Sequence, residues 1–219
     1  MSAYSDRGSE TRSYTDLKRI FTIALVTASA SPTPLVLAST SPQRRAILEQ
    51  LRIPFEVVAP DFEEHDPPNA DPVVLVREHA RGKARSVHAP GRVTLGVDTT
   101  VHLDGRVYGK PRDAEDAGAV LRELAGRSHA VVSGICLLGD ATEDVEHVET
   151  RVRFRRLEED EIGAYVASGE WANRAGGYAI QGLGGRLVEV VDGDYLNVVG
   201  LPGALLLELL RRRAPHLLH

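Results

Sequence analysis

The sequence predicts an α/β fold, in the α/β or α+β class, with helices flanking a mixed β-sheet. From residue 35 onward, short β-type runs alternate with helical patterns, which is typical of strand–helix–strand units. Hairpin patterns follow in the second half, which argues against a fully parallel, doubly wound sheet. The chain has 219 residues, 42% of them hydrophobic. At roughly 100–200 residues per domain, this length predicts one domain or two small lobes that share a core.

The first 34 residues differ from the rest of the chain, and we predict the folded domain over 35–213. The N-terminal 16 residues are polar, as in a disordered tail. A basic pair, a short apolar stretch over 20–28 and small residues then follow, which is the layout of a secretory signal. The alternative is an extension upstream of a cytoplasmic protein. We favour the extension because the apolar stretch is short and contains Thr22 and Thr27.

The first half of the domain predicts three strands and two helices. An apolar run over 35–38 indicates a buried strand, and Pro42 begins a helix with Ile47, Leu48 and Leu51 on one face. The later elements of this half are a strand over 55–59, a helix over 71–87 with Val74, Leu75, His79 and Ala80 inward, and a strand over 93–97 that Asp98 ends.

The second half predicts hairpins and further helices. Asp104 and Gly105 form a turn pair between strands over 100–103 and 107–108. Segments 129–138 and 145–154 alternate as a long antiparallel pair. The other predicted elements are helices over 113–125, 158–167 and 202–212 and strands over 179–180 and 187–191.

Composition excludes several classes of protein. The chain has 26 Lys and Arg residues against 31 Asp and Glu, and a net charge of −5 argues against duplex nucleic acid as a partner. A single cysteine, Cys136, excludes a disulfide framework and a multi-cysteine zinc site. The apolar stretches of the chain are too short to predict a membrane-spanning helix. These features predict a mildly acidic cytoplasmic protein that binds neither membranes nor nucleic acid.

Polar residues at two predicted sheet edges suggest a site for phosphates. Ser39 and Ser41 lie at a helix N-terminus, where amide groups attract anions. Arg44 and Arg45 follow in the first turn, where a cation opposes the helix dipole. A bound phosphate would explain that arrangement, and a solvated helix face is the alternative.

Two carboxylates and a lysine extend this pattern. Asp98 follows an apolar strand, where α/β proteins place catalytic groups, although a simple turn Asp is the alternative. Glu64 and Lys110 lie in predicted loops, where a solvated role is the alternative. The segment Gly182-Leu-Gly-Gly185 is either a phosphate cradle or a tight turn. Together, hydroxyls and cations for phosphates and two carboxylates for a divalent metal indicate a nucleotide site.

A series of short motifs in fixed order resembles the Maf family of nucleoside triphosphate pyrophosphatases. The motifs are Leu37-Ala-Ser-Thr-Ser-Pro-Gln-Arg-Arg45, Lys83-Ala84, Gly96-Val-Asp-Thr99, Gly109-Lys-Pro111, Leu124-Ala-Gly126 with His129, Tyr165-Val-Ala-Ser-Gly-Glu170, Ala175-Gly-Gly-Tyr-Ala-Ile-Gln-Gly182 and Asn197-Val-Val-Gly-Leu-Pro202. They extend over essentially the whole predicted domain.

The resemblance implies hydrolysis of a nucleoside triphosphate between the α- and β-phosphates, giving the monophosphate and pyrophosphate. It also implies a bilobed α/β fold with a central cleft, similar to that of inosine-triphosphate pyrophosphatases, and a homodimer. The family takes its name from an effect on septum formation. A division regulator that binds nucleotide without hydrolysing it is therefore an alternative.

Matched residue by residue, the resemblance assigns roles in a site. Asp98 matches the family's proton acceptor, and Glu64 matches a carboxylate that, with Asp98, holds a divalent cation, Mg²⁺ or Mn²⁺. An ordinary Asp, with a pKa of about 3.9, is a weak base at neutral pH, so the reaction needs that cation. The positions that match contacts to the triphosphate are Ser39, Arg44, Lys83 and Lys110.

Base selectivity in the family follows three positions, here Gln43, Thr99 and Gln181. The subgroup that prefers dTTP and UTP has Arg, Thr and Gln there, and the subgroup that prefers 7-methyl-GTP has Trp, Gln and Glu. Two of the three residues match the pyrimidine subgroup, so we expect dTTP- and UTP-type or noncanonical substrates. The alternative is a 7-methyl-GTP-type or broad-specificity enzyme.

Overall fold

The computed structural model describes residues 33–67 and 70–218 of the chain. The predicted N-terminal extension lies outside this part, apart from Thr33 and Pro34. The strands are β1 (Leu35–Ala38), β2 (Phe55–Val58), β3 (Thr94–Leu103), β4 (Arg106–Tyr108), β5 (Ser128–Gly139), β6 (Thr142–Phe154) and β7 (Val188–Asp192). The helices are α1 (Pro42–Gln50), α2 (Pro72–Val87), α3 (Ala114–Leu124), α4 (Glu159–Ala167), α5 (Tyr195–Val199) and α6 (Gly203–Arg213), with 3₁₀ turns at Ala175–Gly177, Leu183–Leu187 and Pro215–Leu218.

The strands form one mixed seven-stranded sheet, in the order β2-β1-β3-β5-β6-β7, with β4 paired to β3. Strand β1 is parallel to both β2 and β3, and every other pairing is antiparallel. The predicted α/β class with a mixed sheet is therefore confirmed. None of the helices in the described part of the chain is long and apolar enough to span a bilayer.

Two large apolar clusters lie along the sheet. The first joins β1, β3 and β5 to α1 and α6 through side chains such as Leu37, Leu48 and Leu209. The second surrounds Leu121 and Phe154 and includes α3 and α4. Because both clusters pack on the same continuous sheet, the residues between them lie on a rigid support.

The central strand β3 runs through Asp98, so the prediction of two strands separated at that residue is wrong. Strand β5 pairs with β3 from Thr94 to His102 without interruption and holds the polar residues in extended conformation. On the other edge of β3, β1 pairs only up to Gly96 and β4 only from Val101. A gap opposite residues 97–100 is left between them. The carboxyl ends of β1 and β4 approach this gap from opposite sides.

Helix α2 lies unusually close to the sheet because two glycines face it. A Cβ atom on Gly96 would lie 2.0 Å from the Ala80 carbonyl oxygen, and one on Gly134 would lie 2.2 Å from the Val76 carbonyl oxygen. Gly134 is the β5 partner of Asp98. The helix backbone therefore rests on the sheet directly beside Asp98.

The predicted details of two elements are also corrected. Val74 is 59% exposed rather than inward, while Leu75, on the same helix, is buried. Segment 179–180 is not a strand, because Gly176 and Gly177 before it, both at a φ of 68°, turn the chain away from an extended path.

Candidate functional site

A polar cleft of about 830 Å³ opens at the gap in the sheet. Ser39 and Arg44 line it on the side where β1 ends, and Lys110 lines it on the side where β4 ends. Asp98 lies on β3 and Lys83 on α2. Five predicted site residues from four parts of the sequence therefore meet around one cavity.

Asp98 is buried, with 8% of its surface exposed, and is held by groups from α2. The Lys83 ammonium donates to Oδ1 at 2.6 Å, and His79 Nδ1 lies 3.3 Å from Oδ2. Burial alone would raise the pKa of Asp98, but the hydrogen bond with His79 and the charges of Lys83 and Arg44 together lower it to about 2. Asp98 is therefore an anion at any physiological pH.

Lys83 joins the two predicted metal ligands. Lys83 is buried, with 7% of the residue exposed, and its ammonium group forms ion pairs with Asp98 and with the carboxylate of Glu64. Glu64 lies in the loop between β2 and α2, and its side chain is partly exposed. The loop glutamate and the strand aspartate are thus brought together through one lysine.

Analysis of the sequence placed His79 inside the fold but did not identify it as a site residue. Its two ring nitrogens contact Asp98 and the backbone carbonyl oxygen of His65, which is 3.2 Å from Nε2. The hydrogen bond to Asp98 raises the pKa of His79 against the opposing effect of burial. His79 and Lys83 are four residues apart on α2, a spacing that places both on one helix face. That spacing was the available signal.

Arg44 is fixed by three hydrogen bonds at the mouth of the cleft. Its guanidinium donates to the Gly200 carbonyl oxygen at 3.0 Å, to Ser39 Oγ at 3.1 Å and to Thr99 Oγ1 at 3.3 Å. Helix α1 begins at Pro42 as predicted, and the structure shows Ser41 as its N-cap. The arginine that opposes the helix dipole is thus held over the cleft rather than free in solvent.

The three predicted selectivity residues all line the cleft but differ in their surroundings. Ser41 Oγ donates to Gln43 Oε1 at 3.1 Å. Thr99 Oγ1 is fully engaged: besides Arg44, it contacts Ser133 Oγ at 2.8 Å and the Gly200 carbonyl at 3.3 Å. Gln181 is exposed. In this geometry the hydroxyl group of Thr99 helps to orient the Arg44 guanidinium.

Comparison with known proteins decides the family. Residues 34–213 match the model of the family described as "Maf-like protein".

The chain belongs to the Maf family.

Proteins called dTTP/UTP pyrophosphatase are similar to it over most of their length. That of Nitratidesulfovibrio vulgaris is 47% identical over 184 residues, which cover 82% of this chain and 88% of the relative. That of Gloeobacter violaceus is 48% identical over 178 residues, or 80% and 94% of the two chains. A solved structure, the Ham1 protein of Staphylococcus aureus, aligns with 15% identity and a TM-score of 0.40, covering 56% of this chain and 72% of that one.

The glycine-rich segment of this Maf protein cradles an anion of its own. The amides of Leu183 and Gly184 donate to the two carboxylate oxygens of Glu170 at 3.0 and 2.9 Å. Tyr165 donates to the same carboxylate at 3.0 Å. Of the two alternatives for this segment, the structural turn is the one present, and it anchors the chain beside Gln181.

Among the described residues of this Maf protein, one group has the composition of a metal site. Glu64, His79 and Asp98 each offer one ligand atom, and these atoms lie within 4.8 Å of one another. Mg²⁺ is usually held by one or two carboxylates together with substrate phosphates. The carboxylates of Glu64 and Asp98, in a cleft lined by cations, fit that requirement.

Proposed function

We propose that this protein hydrolyses nucleoside triphosphates to the monophosphate and pyrophosphate. The observation that carries the proposal is one buried anionic carboxylate, Asp98, in the same cleft as Arg44, Lys83 and Lys110. A triphosphate carries about four negative charges. The cleft offers it Arg44, Lys83, Lys110 and Arg174, but Glu64, Asp66 and Asp98 offset part of their positive charge, so a divalent cation would balance the rest.

The cations bind and polarise the phosphates. Arg44 is already oriented by Ser39, Thr99 and Gly200, so its guanidinium needs little reorganisation when an anion binds. Lys110 is exposed and approaches from the opposite side of the cleft. Negative charge builds on the leaving pyrophosphate as the bond breaks, and groups held at both sides stabilise it there.

Asp98 orients the attacking water and accepts its proton. With a pKa of about 2 the carboxylate is fully ionised but is a weak base. A divalent cation, Mg²⁺ or Mn²⁺, held by Glu64 and Asp98 would make the attacking water acidic enough to lose its proton to this weak base. A bound cation lowers the pKa of water and also neutralises phosphate charge. Lys83, which pairs with both carboxylates and lines the same cleft, binds a phosphate of the substrate in this proposal.

The proposed substrates are dTTP and UTP. Relatives that carry this name are 47% and 48% identical to the chain. Thr99 and Gln181 are the residues expected for the pyrimidine subgroup, and Gln43 replaces the expected arginine. An amide both donates and accepts hydrogen bonds. With Oε1 bound by Ser41, Gln43 has its amide N–H groups left to donate to a base.

The experiment is ³¹P NMR of products from dTTP, UTP, 7-methyl-GTP and ATP with Mg²⁺. We expect pyrophosphate and monophosphate in equal amounts, fastest from dTTP and UTP. Release of orthophosphate and a diphosphate would contradict cleavage at the α–β bond. Tight nucleotide binding without any product would contradict hydrolysis and would favour the alternative, a regulator that binds nucleotide without hydrolysing it.

A further inference from the structure

His79 contacts Asp98 and the loop that carries Glu64, yet the reaction proposed above gives it no part. Its side chain is buried, with 5% of the residue exposed, and it faces β3 from α2. A buried imidazole beside a carboxylate is a group that a divalent cation can also use.

The ring is held on its outer nitrogen in the way that metal-binding histidines are held. Nε2 lies 3.2 Å from the His65 carbonyl oxygen, which can only accept, so Nε2 carries a proton. The Asp66 carboxylate, 3.6 Å from the same atom, is a second acceptor. Metal-ligating histidines almost always donate their other ring N–H to a carbonyl or carboxylate, which fixes the tautomer and the ring orientation.

The inner nitrogen is placed beside a carboxylate oxygen. Nδ1 lies 3.3 Å from Asp98 Oδ2, while Lys83 binds the other oxygen, Oδ1. Adjacent ligands in an octahedral shell with bonds of about 2.0–2.1 Å lie roughly 3 Å apart. Without a cation, Nδ1 donates its proton to the ionised Oδ2; a cation bound between the two atoms would take the place of that proton. Their separation is also that of two ligands of one cation, and Lys83 does not occupy this edge.

The loop that brings Glu64 to this edge is fixed by a second contact. The Phe62 ring fills the place of a side chain at Gly82, where a Cβ atom would lie 2.1 Å from the ring. The same ring packs edge-on against His79, with centroids 5.9 Å apart. Gly82 thus admits Phe62, and Phe62 holds the loop on α2 beside His79.

We propose that His79 is a third, nitrogen ligand of the divalent cation that Glu64 and Asp98 bind. The site then favours a cation that accepts imidazole, such as Mn²⁺ or Co²⁺, over Mg²⁺, because imidazole affinity rises along the first-row series and Mg²⁺ prefers oxygen. The inference rests on the proposed function only in taking Glu64 and Asp98 as metal ligands.

Pulsed EPR of the full-length protein with Mn²⁺ alone, without nucleotide, tests the ligand directly. We expect ¹⁴N coupling from an imidazole in the wild type, its loss in both His79→Leu and His79→Gln, and its retention in His216→Leu, which changes an exposed histidine. Two variants are used, with melting temperatures measured, so that misfolding of one does not decide the result. Wild-type Mn²⁺ without ¹⁴N coupling, or no Mn²⁺ binding, would overturn the proposal.

Metal titration gives a second readout. His79→Leu should weaken Co²⁺ binding at least about tenfold and change Mg²⁺ binding less than about twofold. Equal loss for both cations would overturn the selectivity. A protein that shows the ¹⁴N coupling but hydrolyses no triphosphate would refute the proposed function and leave His79 as a ligand.

Discussion

At the scale of single residues, the charge state of a buried titratable group in this protein depends on its partners. Asp98 keeps its charge because His79, Lys83 and Arg44 offset the cost of burial. Cys136 has no such partner, and burial raises its pKa to about 12, so it is a core residue as the apolar strand around it predicted. The buried, ionised Asp98 therefore belongs to the candidate site, and the buried, neutral Cys136 belongs to the apolar core.

Sequence alone could identify Asp98, Arg44, Lys83 and Lys110 as chemical groups, because each stands in a short motif, and Glu64 by its match to a carboxylate of the family. It could not show which of them touch. The role of His79 was missed because its carboxylate partner lies 19 residues away and reaches it only through helix–sheet packing. The catalytic and binding roles assigned to those five residues stay predictions.

The pH dependence of folding tests His129, a buried histidine outside the cleft. Burial and the nearby His102 lower its pKa to about 4, and its Nδ1 has no hydrogen-bond partner among the described residues. Because the unfolded chain takes up a proton near pH 6.5 and the folded one only near 4, stability falls as pH drops through this window, by about 3 kcal/mol.

Urea unfolding at pH 7.5 and pH 4.5 measures this effect. Wild type should lose about 2–3 kcal/mol more than His129→Gln between the two values, since glutamine does not titrate. His147→Gln, at an exposed histidine, should behave as wild type. Equal losses in wild type and His129→Gln would show that His129 is protonated as easily when folded.

Selectivity is tested at Gln43. Gln43→Arg restores a charged donor, and a charge-assisted hydrogen bond of about 1–3 kcal/mol predicts a roughly fivefold or larger rise in kcat/KM for dTTP relative to 7-methyl-GTP. Gln50→Arg adds the same charge on α1 outside the cleft and should not change the ratio. If the two variants behave alike, Gln43 does not face the base.

At the scale of elements, the geometry of the site depends on how closely α2 approaches β3. Local patterns predicted most helices and strands, including the start of α1 at Pro42 and the turn at Asp104 and Gly105. They failed where long-range pairing decides the outcome. Polar residues at 98–100 predicted a break, but β5 holds β3 straight through them.

Gly134→Ala tests the close approach of helix and sheet. The new methyl group would meet the α2 backbone at 2.2 Å, so the helix must move away from Asp98. We expect a loss of at least about 2 kcal/mol in unfolding free energy and at least about a tenfold lower kcat.

Gly163→Ala is the matched control, because it lies on α4 with nothing within 4 Å of the added Cβ. It should stabilise the protein by about 0.5–1 kcal/mol, the ordinary gain in a helix, and leave kcat unchanged. Unaltered activity in Gly134→Ala would show that the contact of α2 with β3 does not position the site.

At the scale of the whole molecule, one interruption of sheet pairing creates the cleft. Parallel β1 and antiparallel β4 share one edge of β3, and their carboxyl ends bring Ser39 and Lys110 to the residues left unpaired between them. The sequence motifs predicted the family and the mixed sheet, and both are confirmed. The gap itself could not be predicted, because it depends on where two distant strands stop. Homodimer formation and a cytoplasmic location stay predictions.

The most direct test of this account is kcat for dTTP in Asp98→Asn, with nucleotide binding measured in parallel using a non-hydrolysable α,β-imido analogue. The substitution keeps the shape of the side chain and removes its charge. We predict that kcat falls at least about 100-fold while the analogue still binds, with Asp160→Asn, at an exposed aspartate, as the control. A kcat within about threefold of wild type in a folded Asp98→Asn protein would contradict the assignment of Asp98 as the carboxylate that activates water.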